Sequence, residues 1–264
     1  MFLLSHPLTR GLDPDDPSTT LLRRKVIRNK SFLRRLYAEW YELLCSRLPN
    51  DTGQILEIGS GAGFLSDYVP EVITSEVFPL EGVDQVEDAT ALSFADASLA
   101  AIVMTDVLHH IPNVASFFAE STRTLRIGGR LVMIEPWNTA WSRFVYQRLH
   151  SEPFLPEAAD WRLPTGGPLS TANGALPWIV FKRDRERFEL DFPELAIVSV
   201  EPLMPMAYLA SGGVSMRSLA PGFMYPAVRN LEGRVLREHG AMFALIVIER
   251  LANRATVNGV MGST

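Results

Sequence analysis

The sequence predicts an α/β fold, a doubly wound and mostly parallel sheet. Short apolar runs alternate with helical stretches through residues 54–135, the pattern of parallel strands joined by helices. The first run, Gln54–Ile58, leads directly into Gly59-Ser60-Gly61-Ala62-Gly63, a strand entering a glycine-rich turn. Size and composition agree: 264 residues, 47% hydrophobic and 21% charged, supply one substantial core and exclude a disordered, coiled-coil or collagen-like chain.

The elements follow in chain order. Asp13-Pro14-Asp15-Asp16-Pro17-Ser18 has loop chemistry, and Ser18 or Thr19 is placed to cap a helix. Leu22, Val26, Leu33, Tyr37, Trp40 and Leu44 recur near helical spacing, so residues 21–47 are expected to form one amphipathic helix. Its stretch 21–35 holds seven basic residues and no acidic one. Such a helix either packs its apolar stripe on the domain or makes peripheral contact with an anionic membrane or a phosphorylated acceptor. The wide face of Tyr37, Trp40, Tyr41 and Leu44 favours packing.

Strands are expected at Gln54–Ile58, Val72–Val77, Ala101–Thr105 and Arg130–Glu135, with helices at Phe64–Val69 and Asn113–Leu125. The second half is less regular. Residues 150–178 carry five prolines and three glycines without a period, and 202–226 mix Pro, Gly, Met and aromatics. Between and after them lie an expected helix Lys182–Leu190, strand Leu195–Glu201, helix Val228–Glu238 and strand Ala241–Arg250. The expected organisation is therefore 1–49 as a loop and helix over the site, 50–250 as the main domain with insertions 137–178 and 202–226 acting as lids, and 251–264 as a flexible tail.

Composition narrows the function. A net charge of −5 disfavours a general nucleic-acid binder. Cys45 is the only cysteine, so no internal disulfide can form. Met1-Phe2-Leu3-Leu4 is too short for a signal core, and the longest apolar run, Ala241–Ile248, is far short of a transmembrane segment. The expectation is a cytoplasmic protein.

The strongest chemical signal is Leu56-Glu57-Ile58-Gly59-Ser60-Gly61-Ala62-Gly63. Without Cβ atoms, such a turn lets the backbone approach a ligand closely. The nicotinamide-binding pattern is the obvious competitor, but Phe64 holds the place of its last glycine. Glu57, two residues before the first glycine, suits a cationic group better than a pyrophosphate. Glu76 follows nineteen residues later, the distance of a carboxylate that holds ribose hydroxyls. Asp88-Ala89, Leu108-His109-His110 and Leu125-Arg126-Ile127-Gly128-Gly129-Arg130 complete the series.

With these motifs in order, residues 54–135 resemble the class I S-adenosylmethionine-dependent methyltransferases, particularly methyltransferase type 11. The resemblance implies a seven-stranded sheet with its last strand antiparallel, S-adenosylmethionine as cofactor and a small-molecule methyl acceptor. It implies that Glu57 helps position the methionine ammonium, Gly59 and Gly61 pass the methionine moiety, Glu76 takes the ribose, and Asp88 with Ala89 reads the adenine. Ser60, Gly63, Val77, Thr105 and Asp106 complete the implied cofactor set. One departure stands out: only eleven residues separate Glu76 from Asp88, so the usual crossover helix must be shortened or replaced by a loop at Pro79–Val86.

O-methylation of an apolar or aromatic acceptor is the expected reaction, with His109 or His110 as the base that removes a hydroxyl proton. On a helix, adjacent histidines point about 100° apart, so one of the two is expected to face the pocket. Trp137, Trp141, Phe144, Tyr146, Phe154, Trp161, Met204, Met206, Tyr208, Phe223, Met224 and Tyr225 are the candidate acceptor-lining residues. No metal is expected, because Cys45 and the histidines at 6, 109, 110, 150 and 239 lack ligand spacing. Asp106 and Glu135, at the ends of neighbouring strands, could hold magnesium, but hard ions usually need more oxygens. The preferred reading has Asp106 capping a helix and Glu135 near the cofactor. Amine or carbon acceptors, a non-catalytic cofactor-binding homologue and a nicotinamide oxidoreductase remain the alternatives.

Overall fold

A computed structural model describes residues 11–50, 53–150, 152–235 and 237–252. The expected tail, apart from its first two residues, and His6 lie outside the described residues. Seven strands form one sheet: β1 (Gln54–Ile58), β2 (Ile73–Glu76), β3 (Gln85–Val86), β4 (Leu99–Thr105), β5 (Leu125–Pro136), β6 (Leu195–Leu203) and β7 (Phe243–Arg250). Their order is β3-β2-β1-β4-β5-β7-β6. The first five pair in parallel, and β7 runs antiparallel to both β5 and β6. β4 and β7 read as continuous apolar runs because both faces of the sheet centre are covered.

The N-terminal segment forms two helices, α1 (Pro17–Asn29) and α2 (Ser31–Cys45), where the periodicity predicts one. No glycine or proline marks the break. Lys30 takes an extended backbone (φ −83°, ψ 99°), and its ammonium donates to the carbonyls of Gly213 (2.5 Å) and Met216 (2.8 Å). A distant loop therefore decides the bend. Asp16, not Ser18 or Thr19, caps α1: its carboxylate accepts from the Ser18 N–H at 2.8 Å, with Pro17 in the first turn.

α2 buries Phe32, Leu33, Leu36, Tyr37, Trp40, Tyr41 and Leu44, a face that recurs every three to four residues. Each such side chain contributes about 1.5–3 kcal/mol by leaving water. Trp40 packs on Phe243 with ring centroids 4.8 Å apart, and the Tyr41 hydroxyl accepts from the Phe64 N–H at 3.0 Å. α2 is thereby part of the core rather than an appendage.

The expected helix Phe64–Val69 is absent. Two 3₁₀ turns, Ser60–Ala62 and Leu65–Asp67, take its place, and Pro70 bars helical backbone at Val69. The β2–β3 connection is a loop, as the short spacing predicts. Asp84 holds it by accepting from the Thr74 N–H (2.9 Å) and hydroxyl (2.7 Å). Helix α3 (Val114–Thr124), capped by Asn113, joins β4 to β5. The expected helix Lys182–Leu190 is broken into a π turn, Ile179–Arg183, and a helix Arg185–Asp191. The helix expected at Val228–Glu238 runs Tyr225–Val235 instead. After β5, helix α4 (Ala140–Leu149) leads into the irregular insertion. No helix among the described residues is long and apolar enough to cross a membrane.

Candidate active site

The turn after β1 is built around Gly59 and Gly61. Gly59 sits at φ 72°, and a Cβ there would lie 2.5 Å from Val107 Cγ2. The Gly61 N–H donates to Glu76 Oε1 at 2.9 Å, and the Val77 N–H donates to Oε2 at 3.2 Å. These bonds fix the Glu76 carboxylate at the end of β2. Glu57 is buried below the turn, and desolvation pushes its pKa up to about 7.

Above the turn lies a cavity of about 300 Å³ at the carboxyl ends of the parallel strands. Of the residues predicted from sequence, Gly59, Glu76, Val77, Asp88, Ala89, Thr105, Asp106 and His110 line it. Glu57, Ser60, Gly61, Gly63 and the candidate base His109 do not; they lie outside its wall, His109 fully buried, and Gly61 bonds to Glu76. Asp88 Oδ1 accepts from the Thr90 N–H (2.8 Å) and hydroxyl (2.7 Å), which sets the turn on which Ala89 sits.

The rest of the wall comes from outside the resembling stretch. Thr20, Arg23 and Tyr37 reach in from α1 and α2, His150, Glu152, Pro168 and Leu169 from the first insertion, and Tyr208, Val214 and Ser215 from the second. Arg23 is the one permanently cationic side chain among these described residues. Sequence reasoning missed its inward direction because it sits inside a run of seven similar charges. His150 and Glu152 lie in a stretch without periodicity, so no local signal marked them.

Of the twelve candidate acceptor residues, Tyr208 alone lines this cavity. The others pack elsewhere or face solvent. The Tyr146 hydroxyl donates to Met242 O (2.8 Å), Trp141 Nε1–H to Pro205 O (2.7 Å) and Trp161 Nε1–H to Asp184 (2.9 Å), while Phe144 and Phe223 are exposed. Beside Tyr208, one end of the cavity is lined by Asp106, His110, His150 and Glu152.

That end holds a cluster of imidazoles and carboxylates. His109 and His110 lie on the 3₁₀ turn Leu108–His110 after β4. Glu135, fully buried on β5, accepts from the Val107 and Leu108 N–H groups at 2.8 Å each and from His109 Nδ1–H at 2.9 Å. It supports the turn from beneath and does not line the cavity, which corrects the pairing of Asp106 with Glu135 as possible magnesium ligands. Asp106 caps no helix; it takes left-handed backbone (φ 64°), an uncommon conformation for a non-glycine residue.

Across the cavity, Glu152 approaches His109 Nε2 at 3.5 Å and His110 Nε2 at 4.0 Å. His110 Nδ1–H donates to Thr171 O at 3.1 Å. Both imidazoles aim Nε2 at the same carboxylate, so adjacency on a turn does not send them to opposite sides. Burial opposes charge on His109, but Glu135, Glu152 and Asp106 outweigh it and hold its pKa well above the usual value. Burial and then the charge of His109 push His110 down to about 4. Burial works against Glu152 as well, yet the neighbouring imidazoles hold its carboxyl below the ordinary range.

A methyltransferase domain family model matches residues 56–133, from β1 through most of β5. No curated protein matches the chain. Among solved structures, geranyl diphosphate C-methyltransferase from Streptomyces coelicolor A3(2), in complex with magnesium, geranyl diphosphate and S-adenosyl-L-homocysteine, is 16% identical with a TM-score of 0.51, covering 94% of this chain and 89% of that one. A geranyl diphosphate methyltransferase in complex with its diphosphate and sinefungin is 17% identical with a TM-score of 0.51, covering 83% of this chain and 80% of that one. At such identities the shared property is the fold. A methyltransferase domain matched across residues 56–133, on a sheet of this strand order, gives the chain the class I methyltransferase fold.

Proposed function

We propose that the enzyme methylates an oxygen of a small, polar, hydroxyl-bearing acceptor held at the acid–imidazole end of the cavity. The observation that carries this is His110. Its Nδ1–H is engaged by Thr171 O, so the Nε2 lone pair is free at a wall shared with Glu76, Asp106 and Tyr208.

The donor set fits S-adenosylmethionine. Glu76 presents a fixed carboxylate to a pair of ribose hydroxyls, and the apolar surfaces of Val77, Ala89 and Ile111 suit an adenine ring. Asp88 lies at its polar edge, Arg23 offers a guanidinium to the methionine carboxylate, and Asp106 with Thr105 lies nearest the methionine end. Glu57 acts from beneath the turn on the methionine ammonium. The cofactor supplies the electrophilic methyl group: the sulfur–methyl bond breaks as the oxygen–methyl bond forms. The chain supplies position and proton acceptance. His110 is neutral at pH 7 and takes the hydroxyl proton, and the Glu152 carboxylate, 4.0 Å from Nε2, stabilises the imidazolium that results. Helices α1 and α2 close the cavity, which also supports packing over membrane attachment for the basic segment. Arg24 donates to Gly61 O (2.7 Å) and Glu81 O (2.9 Å), and Lys30 is engaged by the 213–216 loop.

The test is calorimetry with S-adenosylhomocysteine and NAD, followed by a labelled-methyl screen of small alcohols, phenols, amines and carbon nucleophiles. We expect micromolar S-adenosylhomocysteine binding, none of NAD, and an O-methylated product. His110→Ala should lower turnover by about 10²–10⁴ and leave cofactor affinity intact. An N-methylated product, or full turnover in His110→Ala, would refute the proposed base.

A further inference from the structure

We infer that His109, His110 and Glu152 form a binding site for one divalent transition-metal ion at the acceptor end of the cavity. Three observations converge on it. First, one ligand atom from each residue lies within 4.8 Å of the others. The separations from Glu152 are 3.5 Å to His109 Nε2, the outer limit of a hydrogen bond, and 4.0 Å to His110 Nε2, beyond it. They are close to the roughly 3–4 Å that separates neighbouring ligands around an ion bound at about 2.1 Å.

Second, both rings are held from behind. Glu135 accepts from His109 Nδ1–H at 2.9 Å, and the Thr171 carbonyl accepts from His110 Nδ1–H at 3.1 Å. A carbonyl can only accept, and so can an ionised carboxylate, so each neutral ring carries its proton on Nδ1 and leaves Nε2 open. A carboxylate or carbonyl behind each histidine is the usual support of imidazoles that bind metal. Glu135 is itself secured by two backbone N–H groups, so this support is rigid.

Third, the charge around the site calls for a cation. Glu135 and Glu152 flank His109, and Asp106 Oδ1 lies 3.9 Å from its Nε2, close enough to add a fourth ligand after a small rotation. The other titratable groups facing the cluster are His150, whose Nδ1 lies 3.8 Å from Glu152, the phenols of Tyr146 and Tyr208, and the Arg23 guanidinium. Two imidazoles with one or two carboxylates select zinc, cobalt, manganese or ferrous iron over magnesium or calcium, which prefer all-oxygen sites.

The inference rests on the reading of this end as the acceptor's place, where an ion would leave coordination positions open for an acceptor oxygen. An ion and a proton compete for the same His110 lone pair, so the metal-binding and base readings separate experimentally. The experiment is a titration of the chelator-stripped full chain with cobalt(II), following ligand-field absorption and, in parallel, equilibrium dialysis.

We expect one saturable equivalent per chain, undisturbed by excess magnesium and displaced by zinc. Glu152→Gln and His110→Gln, at partly exposed positions, should each weaken cobalt binding at least tenfold while circular dichroism remains native. Glu135→Gln should weaken it about 10–100-fold. His239→Gln, on the surface, should leave it unchanged. No saturable binding up to 100-fold excess of cobalt, or binding that survives both Glu152→Gln and His110→Gln, would overturn the inference. S-adenosylhomocysteine affinity, measured on the same samples, reports separately on the proposed function.

Discussion

Gly61→Ala probes the link between the glycine turn and the cofactor site. A Cβ at position 61 would lie 2.3 Å from Glu76 Oε1 and 2.5 Å from Thr20 Cγ2. Both contacts are more than about 1 Å inside ordinary separation, where carbon atoms rest at roughly 3.5–4.0 Å. Thr20 is buried on α1 and cannot swing away without lifting the helix, so Glu76 must yield. Its rotation breaks the 2.9 Å bond from the Gly61 N–H. Overpacking costs about 1–3 kcal/mol, and a lost bond to a charged group about 1.5–3 kcal/mol. The second cost falls on a residue that lines the cavity and, in the proposed function, holds the ribose. At about 1.4 kcal/mol per decade, S-adenosylhomocysteine affinity should drop by roughly 10–100-fold. Calorimetry measures that fall and urea unfolding the stability loss. Gly233→Ala is the matched control: nothing lies within 4 Å of its added Cβ, and it sits inside the helix Tyr225–Val235. It should gain about 0.5–1 kcal/mol of stability and bind cofactor normally. Cofactor affinity within twofold of the native enzyme in Gly61→Ala would refute the argument that Gly61 acts by positioning Glu76.

Further outcomes follow from other contacts. Glu76→Ala should weaken S-adenosylhomocysteine by about 1–3 kcal/mol in the same calorimetric assay, since buried hydroxyls lose their partner. Glu57 holds its proton more tightly folded than unfolded, with a pKa raised to about 7 from 4.5. Its contribution is therefore fully present below about pH 4.5 and lost as pH rises through 7, a change on the order of 3 kcal/mol. Urea unfolding between pH 5 and 8 should show this slope, and Glu57→Gln should flatten it. Lys30→Met strands two carbonyls of the loop that brings Val214 and Ser215 to the cavity; a stability loss of about 1–2 kcal/mol in urea is expected. Sedimentation with anionic vesicles should show weak binding, abolished near 0.15 M salt, because the apolar stripe beneath the basic residues is already buried.

The residues alone determined the frame of this protein and part of its cavity wall. β1, the glycine turn, Glu76 at the end of β2, the looped β2–β3 connection and the apolar run of β7 are local patterns. Strand alternation, glycine placement and residue spacing express them within a few tens of residues, because backbone sterics and burial act on neighbours in sequence. Tertiary structure decided what comes from far along the chain. The bend at Lys30 belongs to carbonyls more than 180 positions away, and nothing near Lys30 announces it. Arg23 turns inward and Arg24 reaches the Gly61 carbonyl, while Lys25 and Arg28 stay exposed, since direction depends on what packs above the helix. Apart from Tyr208, the aromatic residues that suggested an acceptor pocket fill the core or face solvent, because composition does not say which neighbours a side chain will meet. The convergence of Glu152 on His109 and His110 is of the same kind. An aperiodic insertion carries the carboxylate across the cavity, and a buried glutamate on β5 orients the imidazole that receives it.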